Sequence, residues 1–189
     1  MKKIILSYYD ESSKDIYNKY KKMNASKSYT GKDIATVYTG AYRETKDMGI
    51  ITKLNDVRVL AEIDGVPATD KYKERRGLDD EAVTGGNLLV TTIESPLGVK
   101  DRLGNLTAIR HPMAGNPDKS MNIGANLATG TAVIRMEATV DELIDSTGNT
   151  LKELKEKCPN AAGYLLVHCG GRRLGIGDRM NEVYEQLKK

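Results

Sequence analysis

The residue types best suited to chemistry gather near the C-terminus. There the run Gly163–Asp178 (GYLLVHCGGRRLGIGD) sets an apolar strand directly ahead of Cys169, Gly170, Gly171, Arg172 and Arg173. Two adjacent glycines let a backbone turn sharply and approach a ligand closely, and their N–H groups can form an anion-holding concavity. A guanidinium beside them can grip a carboxylate or phosphate through two parallel hydrogen bonds. The same spacing also fits a tight strand-to-helix connection whose arginines pair with nearby acids. It is not a nucleotide motif: no GK[ST] follows, and Gly175-Ile176-Gly177 lacks the third glycine of a dinucleotide loop.

Cys169 has three readings: a nucleophilic or redox thiol, a thiol lining a ligand site, or an ordinary buried cysteine. A thiol next to basic groups can ionise and attack. His168 is its neighbour, but side chains alternate along a strand, so His168 is poorly placed to serve as its base. The other histidine, His111, precedes Pro112, and Cys158, before Pro159 at a helix end, reads as structural. These two cysteines and two histidines show no CxxC or HxxxH spacing, and the acids Asp79, Asp80 and Glu81 lack a glycine-framed calcium loop. No metal, cofactor or catalytic residue is expected. Arg110 and Arg135 fall in β-like segments, where each points either into a pocket or toward water.

These residues need elements to position them. Residues 10–23 carry helical periodicity through Ile16, Tyr17, Tyr20 and Met23, and 24–32 read as a linker or loop. Short branched runs follow at Ile34–Thr39, Gly49–Thr52 and Val57–Ile63, with Asp64-Gly65 marking a tight turn. Pro67 opens a helix running to about Arg76 and closed by Gly77. Leu88–Ile93, Leu106–Arg110, Ser120–Leu127 and Thr131–Met136 read as further extended segments, with a turn-rich stretch around Pro112, Gly115 and Pro117. Thr139–Lys157 gives one long helix or two short ones interrupted at Ser146–Asn149. The chain closes with a strand at Gly163–His168, a glycine-bearing loop and a helix from about Asp178 to Lys188. Most connections are too short for a crossover helix, which predicts an α+β single domain with an antiparallel or mixed β-sheet flanked by helices.

Composition limits the partners. The 189 residues include ten Tyr but no Phe or Trp, so the core must be mostly aliphatic. Twenty-nine Lys plus Arg against 26 Asp plus Glu leave +3, with the signs interleaved. The basic runs KYKK (Lys19–Lys22) and KYKERR (Lys71–Arg76) lie in helical stretches with no nucleic-acid module beside them, so they read as solvated faces. Mean hydropathy is −0.48, and no segment approaches the ~20 apolar residues of a membrane helix. Two cysteines make no secreted disulfide framework, and the apolar run Ile4–Leu6 is too short for a signal-peptide core. The expectation is a cytoplasmic protein without nucleic acid or membrane as partner.

Four blocks in order resemble the FIST C-terminal domain. DGVPATDKYKERRG (Asp64–Gly77) resembles its "dG.pA...Y....G" signature, and ESPLGVKDRLGNLTAIRHPM (Glu94–Met113) resembles its "fPlg....g...vR.i" stretch. NIGANLATGTAVIRM (Asn122–Met136) is similar to its strand pair, and AAGYLLVHCGGRRLGIGD to its closing block "alvfsC.gR...lG". The resemblance covers about residues 53–189, more weakly back to Ile34, and divides the chain into an N-terminal helix and linker (1–33) and a FIST C-like domain (34–189). It implies a sensory module of a signal-transduction protein that binds small ligands such as amino acids or related carboxylates. It also implies a partner: a FIST N-terminal domain or a signalling output component. Carried over by position, Cys169, Gly171 and Arg172 match the closing motif and Arg110 the mid-chain arginine. His168 stands where the family commonly has a small residue, which would narrow or re-tune a pocket. The expected binding set is Cys169, Gly170, Gly171, Arg172, Arg110 and His168. The rivals are an enzyme or redox protein using Cys169, and a protein-interaction module without a ligand.

Overall fold

The structure, a computed structural model, describes residues 3–8, 35–85, 88–161 and 163–188. The expected helix at 10–23 and linker at 24–32 lie outside them. The architecture is the α+β class that the sequence predicts, organised as two compact units, Met1–Ala41 with Thr139–Lys189, and Tyr42–Ala138.

In Tyr42–Ala138, the branched run Gly49–Thr52 is the centre of a much longer strand, β3 (Arg43–Asp56), in which Gly49 and Ile51 face the core and their neighbours face out. β4 (Val59–Ile63) and β5 (Val66–Pro67) are joined by Asp64 and Gly65, both at positive φ (54° and 76°), the tight two-residue hairpin turn expected there. α1 (Ala68–Arg76) then starts one residue after Pro67, and Gly77 ends it in the left-handed conformation at φ 62°. α2 (Asp80–Val83) is capped by Asp79, whose carboxylate accepts from Ala82 N–H at 2.9 Å.

The apolar run Leu88–Ile93, expected as a strand, is instead α3 (Leu88–Thr92). Its buried positions are Leu88, Thr92 and Ile93 while Val90 is exposed, a helical rather than alternating pattern that a run this short cannot declare. β6 (Leu97–Lys100), β7 (Leu106–Arg110), β9 (Met121–Ile123) and β10 (Ala132–Glu137) follow as extended segments. The turn-rich stretch hides a further strand, β8 (Pro112–Gly115); its proline stands first in a strand at the end of the sheet, where a missing N–H does least harm. The order is β7-β6-β10-β3-β4-β9-β8, with β5 beside β4, and every pairing is antiparallel. Ile51, Leu60, Ile63, Leu88, Leu97, Met121 and Val133 make its aliphatic core, with Tyr72.

The other unit holds a parallel three-stranded sheet in the order β11-β1-β2, from β1 (Lys3–Tyr8), β2 (Thr36–Thr39) and β11 (Gly163–Val167). Its helices are α4 (Val140–Lys157), α5 (Gly170–Ile176) and α6 (Met180–Leu187), with a 3₁₀ turn at Gly177–Arg179. α4 is one unbroken helix. Thr139 accepts from Glu142 N–H at 3.2 Å while the Glu142 carboxylate accepts from Thr139 N–H at 2.8 Å, a complete capping box. Glycine in a helix interior costs about 1 kcal/mol relative to alanine, and at Gly148 it leaves room for the Gln186 side chain of α6, whose Oε1 would lie 2.7 Å from a Cβ and would have to turn aside for one.

Candidate functional site

The buried face of α4 changes character along its length. Leu143 and Ile144 at one end and Leu151 and Leu154 at the other are apolar, but between them Ser146, Thr147 and Thr150 are buried too. Hydroxyls survive there because the helix backbone satisfies them: Ser146 Oγ donates to Leu143 O at 2.9 Å and Thr150 Oγ1 to Ser146 O at 2.6 Å. Into this polar window comes Arg172 from α5. Its side chain is 4% exposed, and Nη2 donates to Leu143 O and to Ser146 Oγ. A buried guanidinium is costly unless its N–H groups find acceptors, and the helix backbone together with Ser146 supplies two of them.

Ser146 also lines an open groove of about 470 Å³ along α4, together with Ala41, Glu142, Asp145, Asn149, Thr150 and Glu153. A second groove of about 520 Å³ runs between α4 and α6, beside Gly148, Lys152, Lys155 and Gln186. The first has the more useful chemistry. Its lining carries the carboxylates of Glu142, Asp145 and Glu153 and the Asn149 amide, and its Ser146 hydroxyl accepts from the buried Arg172.

The remaining C-terminal residues of the predicted set sit close by in sequence but in a different conformation from the one expected. Gly170–Ile176 is helix α5, not a loop, and neither Gly170 nor Gly171 takes positive φ; Gly177, past the helix end, does at 56°. The amides of Gly170 and Gly171 are therefore first-turn helix amides rather than the rim of a bent loop. Cys169 is the N-cap residue, and its side chain packs at the edge of a small apolar cluster with Val37, Leu154, Cys158 and Leu166. His168 is half-buried, and burial first, then the positive charges of Arg172 and Arg173, lower its pKa from 6.5 to about 4, so it is neutral at pH 7.

Arg110 belongs to the other unit, where it ends β7 and is 6% exposed. Its Nε donates to Asn126 O at 3.2 Å and Nη1 to Ile109 O at 3.1 Å. Next to it, His111 Nε2 lies 3.2 Å from the Tyr42 hydroxyl, which itself donates to Ile93 O at 2.7 Å, so the histidine is the donor in that pair. Ser146, Asn149 and Glu153 escaped the sequence reading. Their signal was present in Ser146–Asn149, where small polar residues at helical spacing resemble a helix break when they are a polar window in a continuous helix.

Among the described residues no group of three or more His, Cys, Asp or Glu is placed to hold a metal ion, and no helix is long and apolar enough to cross a membrane. Comparison with protein-family models matches residues 68–189 to the FIST C domain. No curated protein and no solved structure matches the chain.

Proposed function

Because the chain belongs to the FIST C domain family, a family of sensory domains in signal-transduction proteins and not one known for enzymatic activity, we propose that it is a cytoplasmic sensor that binds an amino acid or a related small carboxylate in the Ser146 groove of α4. The observation that carries this reading is the buried Arg172 guanidinium donating to Ser146, a residue that lines an open, polar groove. A zwitterion has one end for each part of that groove. Its ammonium meets the carboxylates of Asp145 and Glu153, and its carboxylate meets the Asn149 amide, with the Arg172 charge held at Ser146. The groove is open to water, so affinity rests on these few fixed groups rather than on enclosure.

Sensing then requires a ligand that favours one arrangement over another, by no more than its difference in affinity for the two. Arg172 ties α5 to α4, so a ligand that draws on its charge from the groove side alters that tie and with it the position of β11 and α5. The output is a partner component or a FIST N-terminal domain that reads that change.

The experiment is a thermal-shift screen of the twenty amino acids and small dicarboxylates. At least one should stabilise the wild type, and the shift should fall by more than half in both Ser146→Ala and Asn149→Ala. A ligand that stabilises all three proteins equally binds elsewhere, and a flat screen removes the proposal. Arg172→Ala is the less informative variant, since it also empties a buried site.

A further inference from the structure

The KYKERR run, read from sequence as a solvated helical face, is not simply solvated. Arg75 and Arg76 stand side by side in the last turn of α1, and Arg135 comes from β10, all within Tyr42–Ala138. The pairing of β10 with β3 slips at this point: Ile134 opposes Met48 but Met136 opposes Glu44, so Thr45–Asp47 bulge against Arg135. The bulge carries the Asp47 carboxylate between two guanidiniums, 2.8 Å from Arg75 Nε and 3.5 Å from Arg135 Nε.

One carboxylate does not satisfy this group. Arg75 Nη1 and Arg76 Nε are each buried without a hydrogen-bond partner among the described residues, Arg135 Nε has only its 3.5 Å ion pair with Asp47 in place of a hydrogen bond, and Arg76 forms no ion pair there. The nearby acids are already matched: Asp64 faces Lys71 at 3.6 Å as well as Arg75 at 3.3 Å, and Glu137 faces Arg43 at 2.6 Å as well as Arg135 at 3.3 Å. With Lys71 set against Asp64 and Arg43 against Glu137, the three arginines retain Asp47 alone, an excess of two positive charges. The C-terminus of α1 offsets about half a charge of that. The group is not sealed, because the side chains of Arg75 and Arg135 keep 10% and 21% of their exposure. Tyr72, one turn before Arg76, marks the inner wall: its hydroxyl donates to Ser95 O at 2.7 Å and lies within electrostatic reach of both Arg76 and Arg135.

We propose that Arg75, Arg76 and Arg135 form an oxyanion site that takes a phosphate group. A phosphate dianion matches the charge excess, which a carboxylate would only half cancel, and its oxygens give the unpaired guanidinium N–H groups their acceptors. The ligand is either inorganic phosphate or a small phosphate monoester. The site shares no residue with the Ser146 groove and stands whether or not that groove binds an amino acid.

The test is the melting temperature of the intact chain in sodium phosphate against sodium chloride at equal ionic strength. Phosphate at ten times its Kd should raise the midpoint by about 3–6 °C. Arg76→Gln should abolish that shift without lowering the midpoint in chloride, because it removes an unpaired cation. Lys71→Gln, whose charge Asp64 already cancels, should keep the shift. Glycerol 3-phosphate binding more tightly than phosphate identifies a monoester as the guest, and the reverse identifies the free ion; both support the site. No phosphate-specific shift in the wild type, or an equal shift in Arg76→Gln, overturns it.

Discussion

Tyr42–Ala138 and the α4 unit solve the same problem, burying polar groups, in opposite ways. In the first, buried side-chain donors end on backbone carbonyls of loops and strands: Tyr72 on Ser95 O, Ser95 on Met136 O at 3.0 Å and Thr92 on Pro112 O at 2.8 Å. These bonds tie α1 to the loop after α3, that loop to β10, and α3 to β8, each across at least 20 residues of sequence, and the surrounding core is aliphatic. In the second, the hydroxyls of α4 fold back on their own helix, leaving Ser146 as acceptor for a buried cation and as part of the lining of an open groove. Closure by distant backbone favours a scaffold. Closure within one helix leaves a polar face that something else can use.

That contrast predicts where substitutions hurt. The largest effect belongs to Leu60→Ala, which empties a fully buried position between Ile51, Ile63 and Met121 and should cost about 2–5 kcal/mol by urea denaturation. It should leave ligand shifts at the Ser146 groove intact; if they vanish in folded protein, the separation of scaffold from site is wrong. Tyr72→Phe comes next, at about 1–3 kcal/mol, since Ser95 O loses its donor while staying buried. Tyr72 also titrates late, burial pushing its pKa up to about 12, so its absorbance change in an alkaline titration should trail that of the exposed tyrosines.

In the other unit, Thr139→Ala removes one half of the α4 capping box and should cost about 1 kcal/mol, read from the same denaturation curves. The last effect is that of pH. His168 binds protons less readily folded, at about 4, than unfolded, at about 6.5, so its contribution is complete above pH 6.5 and is lost as pH falls toward 4. His168→Gln should flatten the melting temperature between those limits. In Arg172→Gln, which removes the charge, the His168 resonances should still titrate well below 6.5, because burial leads the shift; a return to 6.5 would assign it to the arginine instead.

The sequence was most legible where local chemistry and local geometry coincide. Asp64-Gly65 demanded a tight turn, Pro67 and Gly77 bracketed α1, and short β-like runs set off by turn residues drew β7 and β10 nearly to the residue. It misled at Leu88–Ile93, where six residues are too few for periodicity to separate helix from strand, and at Gly170–Gly177, where glycines suggested a loop that packing holds as helix. The candidate site was half visible: Arg172 stood out by type and spacing, whereas Ser146 and Asn149 did not.

What the amino-acid order determined alone is the inventory and the short-range geometry: an aliphatic core without Phe or Trp, the caps and turns, and a motif that places Arg172 after an apolar strand. Only tertiary structure decided that this guanidinium turns inward to Leu143 and Ser146, and that Asp47 falls between Arg75 and Arg135. The reason is physical. A turn or cap is fixed by interactions within four or five residues, but the direction of a long charged side chain depends on which acceptors the rest of the chain brings near it, and those lie 26 to 29 residues away for Arg172.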